Sequence, residues 1–224
     1  MIILMVICIS LELLFTYTDY KNQYKKAVTL KFLSTLSIAF LSFISFNKVN
    51  TCSKLYFLLI FFGIICGLIG DTLLALDKVY MRKNKNYFLS GLISFLVGHI
   101  LYIKAFTLIM DTNKYDFIFA VIYILIAYYI RSKSKLDFNR LEIPILIYAL
   151  VITLMFGKVT SILLFLNNQP LNILVFIVGL LFIISDSILV FDIFGEKRNE
   201  LLPIYCHLSY FPAQMMFALS ILFM

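Results

Sequence analysis

The sequence predicts an all-α integral membrane protein with eight transmembrane helices. Hydrophobic residues make up 62% of the 224-residue chain, only 14% of the residues are charged, and the mean hydropathy is +1.00. A soluble domain carries about a quarter charged residues. This balance is therefore typical of a protein that crosses a membrane several times.

Eight apolar runs of spanning or near-spanning length, which is roughly 20 residues, follow one another along the chain. They lie at about 1–17, 28–46, 55–76, 88–110, 116–130, 142–160, 171–194 and 203–224. The first run has no basic segment before it and no small-residue cleavage site, so we interpret it as a span rather than a signal peptide. The fifth run is short and Gly157-Lys158 interrupts the sixth, so seven or nine spans are the alternatives.

The basic residues predict the orientation of the helices. Thirteen lie in the loops after helices one, three, five and seven: Lys21, Lys25, Lys26, Lys78, Arg82, Lys83, Lys85, Arg131, Lys133, Lys135, Arg140, Lys197 and Arg198. Four lie in the other loops: Lys48, Lys54, Lys114 and Lys158. Because cytoplasmic loops are enriched in Lys and Arg, we expect both termini outside. The net charge of +7 is then explained by topology, and no nucleic-acid partner is expected.

The chain also shows a possible internal repeat with an offset of 115 residues. Adding this offset to the bounds of the first four apolar runs gives nearly the bounds of the last four. Residues that match at this offset are Asp71 and Asp186, Leu74 and Leu189, Asp77 and Asp192, and Ser94 and Ser209. We therefore expect one transmembrane domain built of two parallel half-repeats, about 1–115 and 116–224. The alternative is a coincidence among helices of similar length.

Two carboxyl groups lie inside apolar runs, Asp71 in the third and Asp186 in the seventh. An ionisable group at bilayer depth costs about 2.5 kcal/mol or more, so it marks a functional site by default. Each acid is followed 28 residues later by a polar residue in the next run. The side chains that we expect in a cavity open to the inner leaflet are Asp71, Asp186, His99, Gln214, Tyr210, Lys31 and Glu12.

Small residues flank the first acid, and hydroxyl groups flank the second. Gly63, Gly67 and Asp71 recur every four residues and share one helix face, so a neighbouring helix can approach closely there. Ser185 and Ser187 are possible hydrogen-bond donors to Asp186.

Each of these residues also has a structural interpretation. Asp186 can be a partner of its serines, and His99 can be a buried histidine of the core. Lys31 and Glu12 are better interpreted as side chains that reach towards the membrane surface than as catalytic groups. A metal site of Asp71, Asp186 and His99 is possible, but the spacing does not require one, and no cofactor is implied.

Two carboxyl groups in apolar surroundings suit acid-catalysed cleavage of an ether bond. One carboxyl group kept neutral donates a proton while the other stays ionised. In a lipid, the corresponding bond is a vinyl ether. Protonation of its β-carbon gives an oxocarbenium ion, and water then adds to give a hemiacetal that collapses to an aldehyde.

The chain resembles the YhhN family of membrane proteins over its whole length. The resemblance rests on the G-D-x-L-L core of Gly67–Leu74, on Gly91-Leu92-x-x-Phe95-Leu96-x-Gly98-His99-x-x-Tyr102, and on Phe182-x-x-Ser185-Asp186-Ser187. That resemblance implies an eight-helix fold. For characterised members it also implies hydrolysis of the vinyl-ether bond of lysoplasmalogens to a fatty aldehyde and a glycerophospho-ethanolamine or -choline.

The resemblance also implies roles for individual residues. Asp71 and Asp186 correspond to the family's acidic pair, with His99 as a further catalytic residue. The side chains expected to bind a lysophospholipid within the bilayer are Tyr102, Tyr210, Gln214 and Lys31. Lys31 matches a lysine that precedes proline in the family, whereas Phe32 follows it here.

Two other function classes remain open for this sequence. The same acids suit a proton-coupled transporter or exporter of a small lipophilic solute, and a membrane accessory protein without turnover is the third class. In each case we expect a multi-pass protein of the cell membrane, such as a bacterial inner membrane.

Overall fold

Eight long α-helices dominate the computed structural model, which describes residues 1–49, 52–80, 85–134, 136–138, 141–167, 169–196 and 199–224. They are α1 (Ile2–Tyr20), α2 (Tyr24–Asn47), α3 (Lys54–Val79), α4 (Lys85–Thr107), α5 (Lys114–Lys133), α6 (Glu142–Phe165), α7 (Pro170–Phe194) and α8 (Leu202–Ser220). A 3-10 turn, Ile221–Phe223, follows α8. Each of the eight helices is long and apolar enough to cross a membrane. Within the described residues, the predicted all-α fold with eight spans is confirmed.

The two least well defined spans of the sequence are both full helices. Helix α5 has 20 residues, and α6 runs without a break through Gly157 and Lys158. The placement of Lys158 in a polar loop was therefore wrong. Its ammonium group is buried and lies 3.1 Å from the Asp116 carboxylate of α5, so the helix continues because the charge is neutralised inside the protein.

The predicted orientation stays a prediction. Of the basic residues that carry it, six lie outside the described residues: Arg82, Lys83, Lys135, Arg140, Lys197 and Arg198. The side chain of Lys85 is also outside the description.

Specific residues mark the beginnings of α3, α5 and α7. The Asn113 side chain accepts a hydrogen bond from the Tyr115 amide, and Asp116 accepts one from the Asn113 amide. This capping box satisfies amide groups that the first turn of a helix leaves unpaired. Ser53 caps α3, and Pro170 begins α7, where its missing N–H costs nothing.

The chain forms two compact units, 1–102 with 217–224 and 103–216. In the first unit α2 packs against α1 and α3, and glycines bring α3 and α4 together. A Cβ atom on Gly63 would overlap the Tyr102 ring, and one on Gly70 would come within 2.7 Å of the Phe95 ring. The close helix contact predicted at Gly63 is therefore confirmed, and Gly70 adds a second one.

In the second unit α6 packs against α5 and α7. Gly157 lies against the backbone of Asp116, and Gly179 lies against the Val159 side chain. Helix α6 is the more buried element, whereas most of α5 exposes apolar side chains, as expected of a lipid-facing helix. The predicted half-repeats, with a boundary near residue 115, stay a prediction.

Candidate active site

Helices α1, α2 and α3 place three ionisable side chains together in the first unit. The Lys31 ammonium nitrogen lies 3.5 Å from Asp71 Oδ1 and 3.8 Å from Glu12 Oε1. The three residues are 4–6% exposed. The Phe15 ring also lies 4.6 Å from the Lys31 nitrogen and covers this charge with an aromatic face. The first unit therefore contains a buried cation between two carboxyl groups, which we call the acid–lysine cluster.

Hydroxyl groups of α2 complete the acid–lysine cluster. Ser34 and Thr35 follow Lys31 by three and four residues, so they share its helix face. Thr35 Oγ1 lies 2.7 Å from Asp71 Oδ2 and 3.2 Å from its own helix carbonyl, so it donates preferentially to the carboxyl group. Ser34 Oγ lies 2.9 Å from the Lys31 carbonyl oxygen and 3.1 Å from Glu12 Oε2. The two acids thus share Lys31 but have different hydroxyl partners, and the hydrogen bond of Asp71 is the shorter one.

The interpretation of Lys31 and Glu12 as side chains that reach the membrane surface was wrong. Both are buried in the bundle, because each compensates the charge of the other and Asp71 adds a second carboxyl group. Burial of a single unpaired ion would cost several kcal/mol. The sequence feature that could have indicated this arrangement is the spacing of Lys31 and Thr35, which lie one helix turn apart in α2.

His99 and Tyr102 of α4 are also buried in the first unit, each with 1% of its surface exposed. Their rings meet edge to face with centroids 6.1 Å apart. The Tyr102 ring stacks on Phe217 at 3.9 Å, in the space that Gly63 leaves open. The structure therefore fixes both rings within the packed interior.

The second unit contains Asp186, and its partner is a residue that the sequence did not indicate. Tyr148 of α6 donates a hydrogen bond of 2.6 Å to Asp186 Oδ2. The predicted serine donors were wrong, because Ser185 donates to the Phe182 carbonyl and Ser187 to the Ile183 carbonyl. A hydroxyl group has one proton to donate, and in these serines the preceding helix turn accepts it.

Tyr210 and Gln214 of α8 lie together in the second unit, as their spacing of four residues predicts. Gln214 Nε2 donates to the Tyr210 hydroxyl oxygen at 2.9 Å, and both side chains are buried. The Tyr210 ring meets Phe182 edge to face at 5.6 Å. These contacts make Gln214 a buried polar group with a fixed orientation.

The arrangement in each unit suits proton chemistry. Asp71 and Lys31 lie close enough for the cation to stabilise the carboxylate that remains after a proton is given away. Asp186 and Tyr148 form a second pair through which a proton can be held or passed. Among the described residues, no group of three His, Cys, Asp or Glu side chains lies in a position to hold a metal ion.

Three comparisons with known proteins gave one match, to a family model. Neither the curated proteins nor the solved structures gave a significant match. The family model described as the YhhN family matches residues 26–221, a segment that includes every predicted site residue and all eight helices except α1. On this match, the chain belongs to the YhhN family.

Proposed function

We propose that this multi-pass membrane protein hydrolyses the vinyl-ether bond of lysoplasmalogens. The observation that carries the proposal is the buried Asp71 carboxyl group, with Lys31 at 3.5 Å and the Thr35 hydroxyl group at 2.7 Å. An acid of this kind, in a chain that belongs to the YhhN family, supports the reaction that the family resemblance implies.

Asp71 acts in this proposal as the general acid. Its proton goes to the β-carbon of the vinyl ether, where the π electrons of the double bond form the new C–H bond. A lone pair of the ether oxygen stabilises the positive charge left on the α-carbon, which gives the oxocarbenium ion. Lys31 and Thr35 then stabilise the Asp71 carboxylate, because a cation and a donated hydrogen bond both favour the charged form. A positioned general acid contributes about 10²–10⁴-fold to the rate of such a step.

Water completes the reaction by adding to the oxocarbenium ion. The water gives its proton back to a carboxylate, and the hemiacetal breaks into a fatty aldehyde and a free hydroxyl group on the glycerol.

We assign Asp186 the role of ion stabiliser or water-activating base, and Tyr148 orients its carboxyl group. His99, Tyr102, Tyr210 and Gln214 orient water and substrate. We assign Lys31 the role of neutralising the charge of the Asp71 carboxylate, rather than that of binding the headgroup phosphate.

The test is aldehyde release from a lysoplasmalogen by the protein purified in detergent. We expect release without any ion gradient, and none from the matching lysolipid with a saturated ether, because only a double bond can accept the proton at carbon. Asp71→Asn and Asp186→Asn are each expected to lower turnover at least 100-fold.

Matched controls lie six residues further along the same helices. Asp192→Asn in α7, at a partly exposed position, is expected to keep turnover within about twofold, since surface substitutions away from a site change little. Asp77→Asn in α3 removes a buried carboxyl group that has no role in the proposed reaction, and we expect it to keep turnover. If the wild-type protein released no aldehyde while a proton gradient moved a solute into proteoliposomes, the hydrolase proposal would be wrong and the transporter class correct.

A further inference from the structure

We propose that Glu12 stores the proton that Asp71 gives to the substrate. Glu12 acts through Asp71 and is therefore a positioning residue of the proposed hydrolase, so its catalytic role rests on the proposed function. The protonation of Glu12 itself rests only on the acid–lysine cluster.

The first argument is the charge of the acid–lysine cluster. Two ionised carboxylates beside one ammonium group would leave a net negative charge in a buried site, which costs several kcal/mol. The cluster becomes neutral when one of the two carboxyl groups holds a proton. Interacting acids of this kind take up that proton as a pair.

The second argument is the hydrogen bonding, which distinguishes the two acids. Asp71 has the 2.7 Å contact with Thr35 and the shorter distance to Lys31, both of which favour a carboxylate. Glu12 Oε1 is buried and accepts no hydrogen bond from the described residues, and its distance to Lys31 is 3.8 Å. A neutral carboxyl group tolerates that position better than a carboxylate.

A proton on Glu12 Oε2 also completes a chain of hydrogen bonds. Glu12 Oε2 then donates to Ser34 Oγ at 3.1 Å, and Ser34 donates to the Lys31 carbonyl oxygen at 2.9 Å. Each hydroxyl group in this chain donates once. With Glu12 ionised, the single Ser34 hydroxyl proton goes either to the Glu12 carboxylate or to the closer Lys31 carbonyl oxygen, and the other acceptor loses this hydrogen bond.

Asp19, the third charged group that acts on Glu12, does not change the charge of the acid–lysine cluster. The charged side chains within electrostatic range of Glu12 are Lys31 of α2, Asp71 of α3 and Asp19 of its own helix. Asp19 has its own cation, because its carboxylate lies 2.7 Å from the Lys78 ammonium group. Among the described residues, Lys31 is therefore the cation that acts on Glu12, and it lies beside two carboxyl groups.

Lys31 connects the stored proton to Asp71. When Lys31 gives an N–H proton to Asp71 and receives the Glu12 proton, Glu12 becomes ionised, Asp71 becomes the acid, and Lys31 is unchanged. Asp71 then protonates the substrate carbon. The Asp71 carboxylate accepts the proton that the attacking water releases, and the reverse transfer through Lys31 returns it to Glu12, so that in this cycle Asp186 acts as the ion stabiliser and not as the base. One water molecule is consumed for each bond broken, and the proton count is unchanged after a cycle.

Infrared spectroscopy of the protein labelled with ¹³C-carboxyl glutamate tests the protonation directly. The chain has four glutamates, and Glu12 is the buried one, whereas Glu142, Glu196 and Glu200 are exposed. We expect one carbonyl band of a protonated carboxyl group that moves on glutamate labelling and disappears in Glu12→Gln. A wild-type spectrum without a labelled band would overturn the proposal.

Two variants of the partners make the charge argument quantitative. Asp71→Asn removes one of the two carboxyl groups that face Lys31, so Glu12 should become ionised and the labelled band should disappear. Lys31→Met removes the ammonium group that both acids face, so the labelled band should stay and a second, unlabelled band should appear for Asp71. Asp19→Asn is the matched control on the helix of Glu12 and should leave the labelled band unchanged.

Turnover then tests the role of the stored proton. Glu12→Gln is expected to lower kcat for aldehyde release about 100-fold with KM changed less than threefold, and Glu12→Asp to restore part of kcat. Normal kcat in Glu12→Gln would overturn the catalytic role. Because the infrared readout needs no substrate, a labelled band without any aldehyde release would contradict the proposed hydrolase and leave the protonation of Glu12 established.

Discussion

At the scale of the residue, the structure gives the two aspartates different partners. Asp71 lies beside the Lys31 cation and the Thr35 hydroxyl group, whereas Asp186 accepts from the Tyr148 hydroxyl group. A cation stabilises a carboxylate more than a neutral donor does. This difference is the reason for assigning proton release to Asp71, an assignment that the sequence left open between the two acids.

The Thr35 hydroxyl group is expected to contribute to this proton release. Thr35→Val keeps the shape of the side chain and removes the donor, and a hydrogen bond to a charged group is worth about 1.5–3 kcal/mol. We expect kcat for aldehyde release to fall about 10–100-fold, and Thr35→Ser to retain most of it. Thr153→Val is the control, because Thr153 donates only to carbonyls of its own helix. Equal losses in both valine variants would argue against a role for Thr35.

At the scale of the element, the predictions held where the sequence determines a helix face. The spacing of Gly63, Gly67 and Asp71 predicted one shared face with a close helix contact, and that contact is found at Gly63. Asp71 faces Lys31 and Thr35 of α2. In α2 the spacing of Lys31 and Thr35 likewise indicates a shared helix face. The sequence did not show that this face contacts Asp71, because serine and threonine side chains can also donate to carbonyls of their own helix.

Helix α6 shows why other parts of the site were not predictable. It is apolar on all sides, so no periodicity indicates which face is buried, and nothing in the sequence directs Tyr148 towards Asp186. Lys158 was misread for the same reason. Its partner Asp116 lies 42 residues earlier, and only the packing of α5 on α6 brings the two together.

The buried Lys158–Asp116 pair is expected to stabilise the fold. Lys158 is 2% exposed, and its ammonium nitrogen lies 3.1 Å from the Asp116 carboxylate and 2.9 Å from the Asp111 carbonyl oxygen. Asp116 also accepts from the Asn113 amide at the start of α5. We therefore expect Asp116→Asn, which leaves a buried cation, to lower the free energy of unfolding by about 3–5 kcal/mol. Lys158→Met should cost less, because the helix terminus still stabilises the carboxylate.

Reversible unfolding in detergent measures both variants of this pair. The double variant Lys158→Met with Asp116→Asn is the control, and it should be more stable than Asp116→Asn alone because no charge remains buried. If the two single losses simply added in the double variant, the pair would not be coupled.

At the scale of the whole molecule, orientation decides which leaflet supplies the substrate. Asp71 lies eight residues before the end of α3 at Val79, which is about 12 Å along the helix axis. The basic residues predict that this end faces the cytoplasm. A one-chain lipid of the inner leaflet would then place its ether near Asp71 and its headgroup near the basic loops.

Labelling of single cysteines in intact cells tests this orientation. With the native thiols Cys8, Cys52, Cys66 and Cys206 replaced by alanine, Gln23→Cys and Thr112→Cys each place one thiol at an exposed position between two helices. The positive-inside rule predicts that a membrane-impermeant maleimide labels Thr112→Cys in intact cells, and Gln23→Cys only after permeabilisation. Retained aldehyde release by each variant shows that the fold is intact. The reverse labelling pattern would place the Asp71 end of α3 in the outer half of the membrane, and the substrate would then have to come from the outer leaflet.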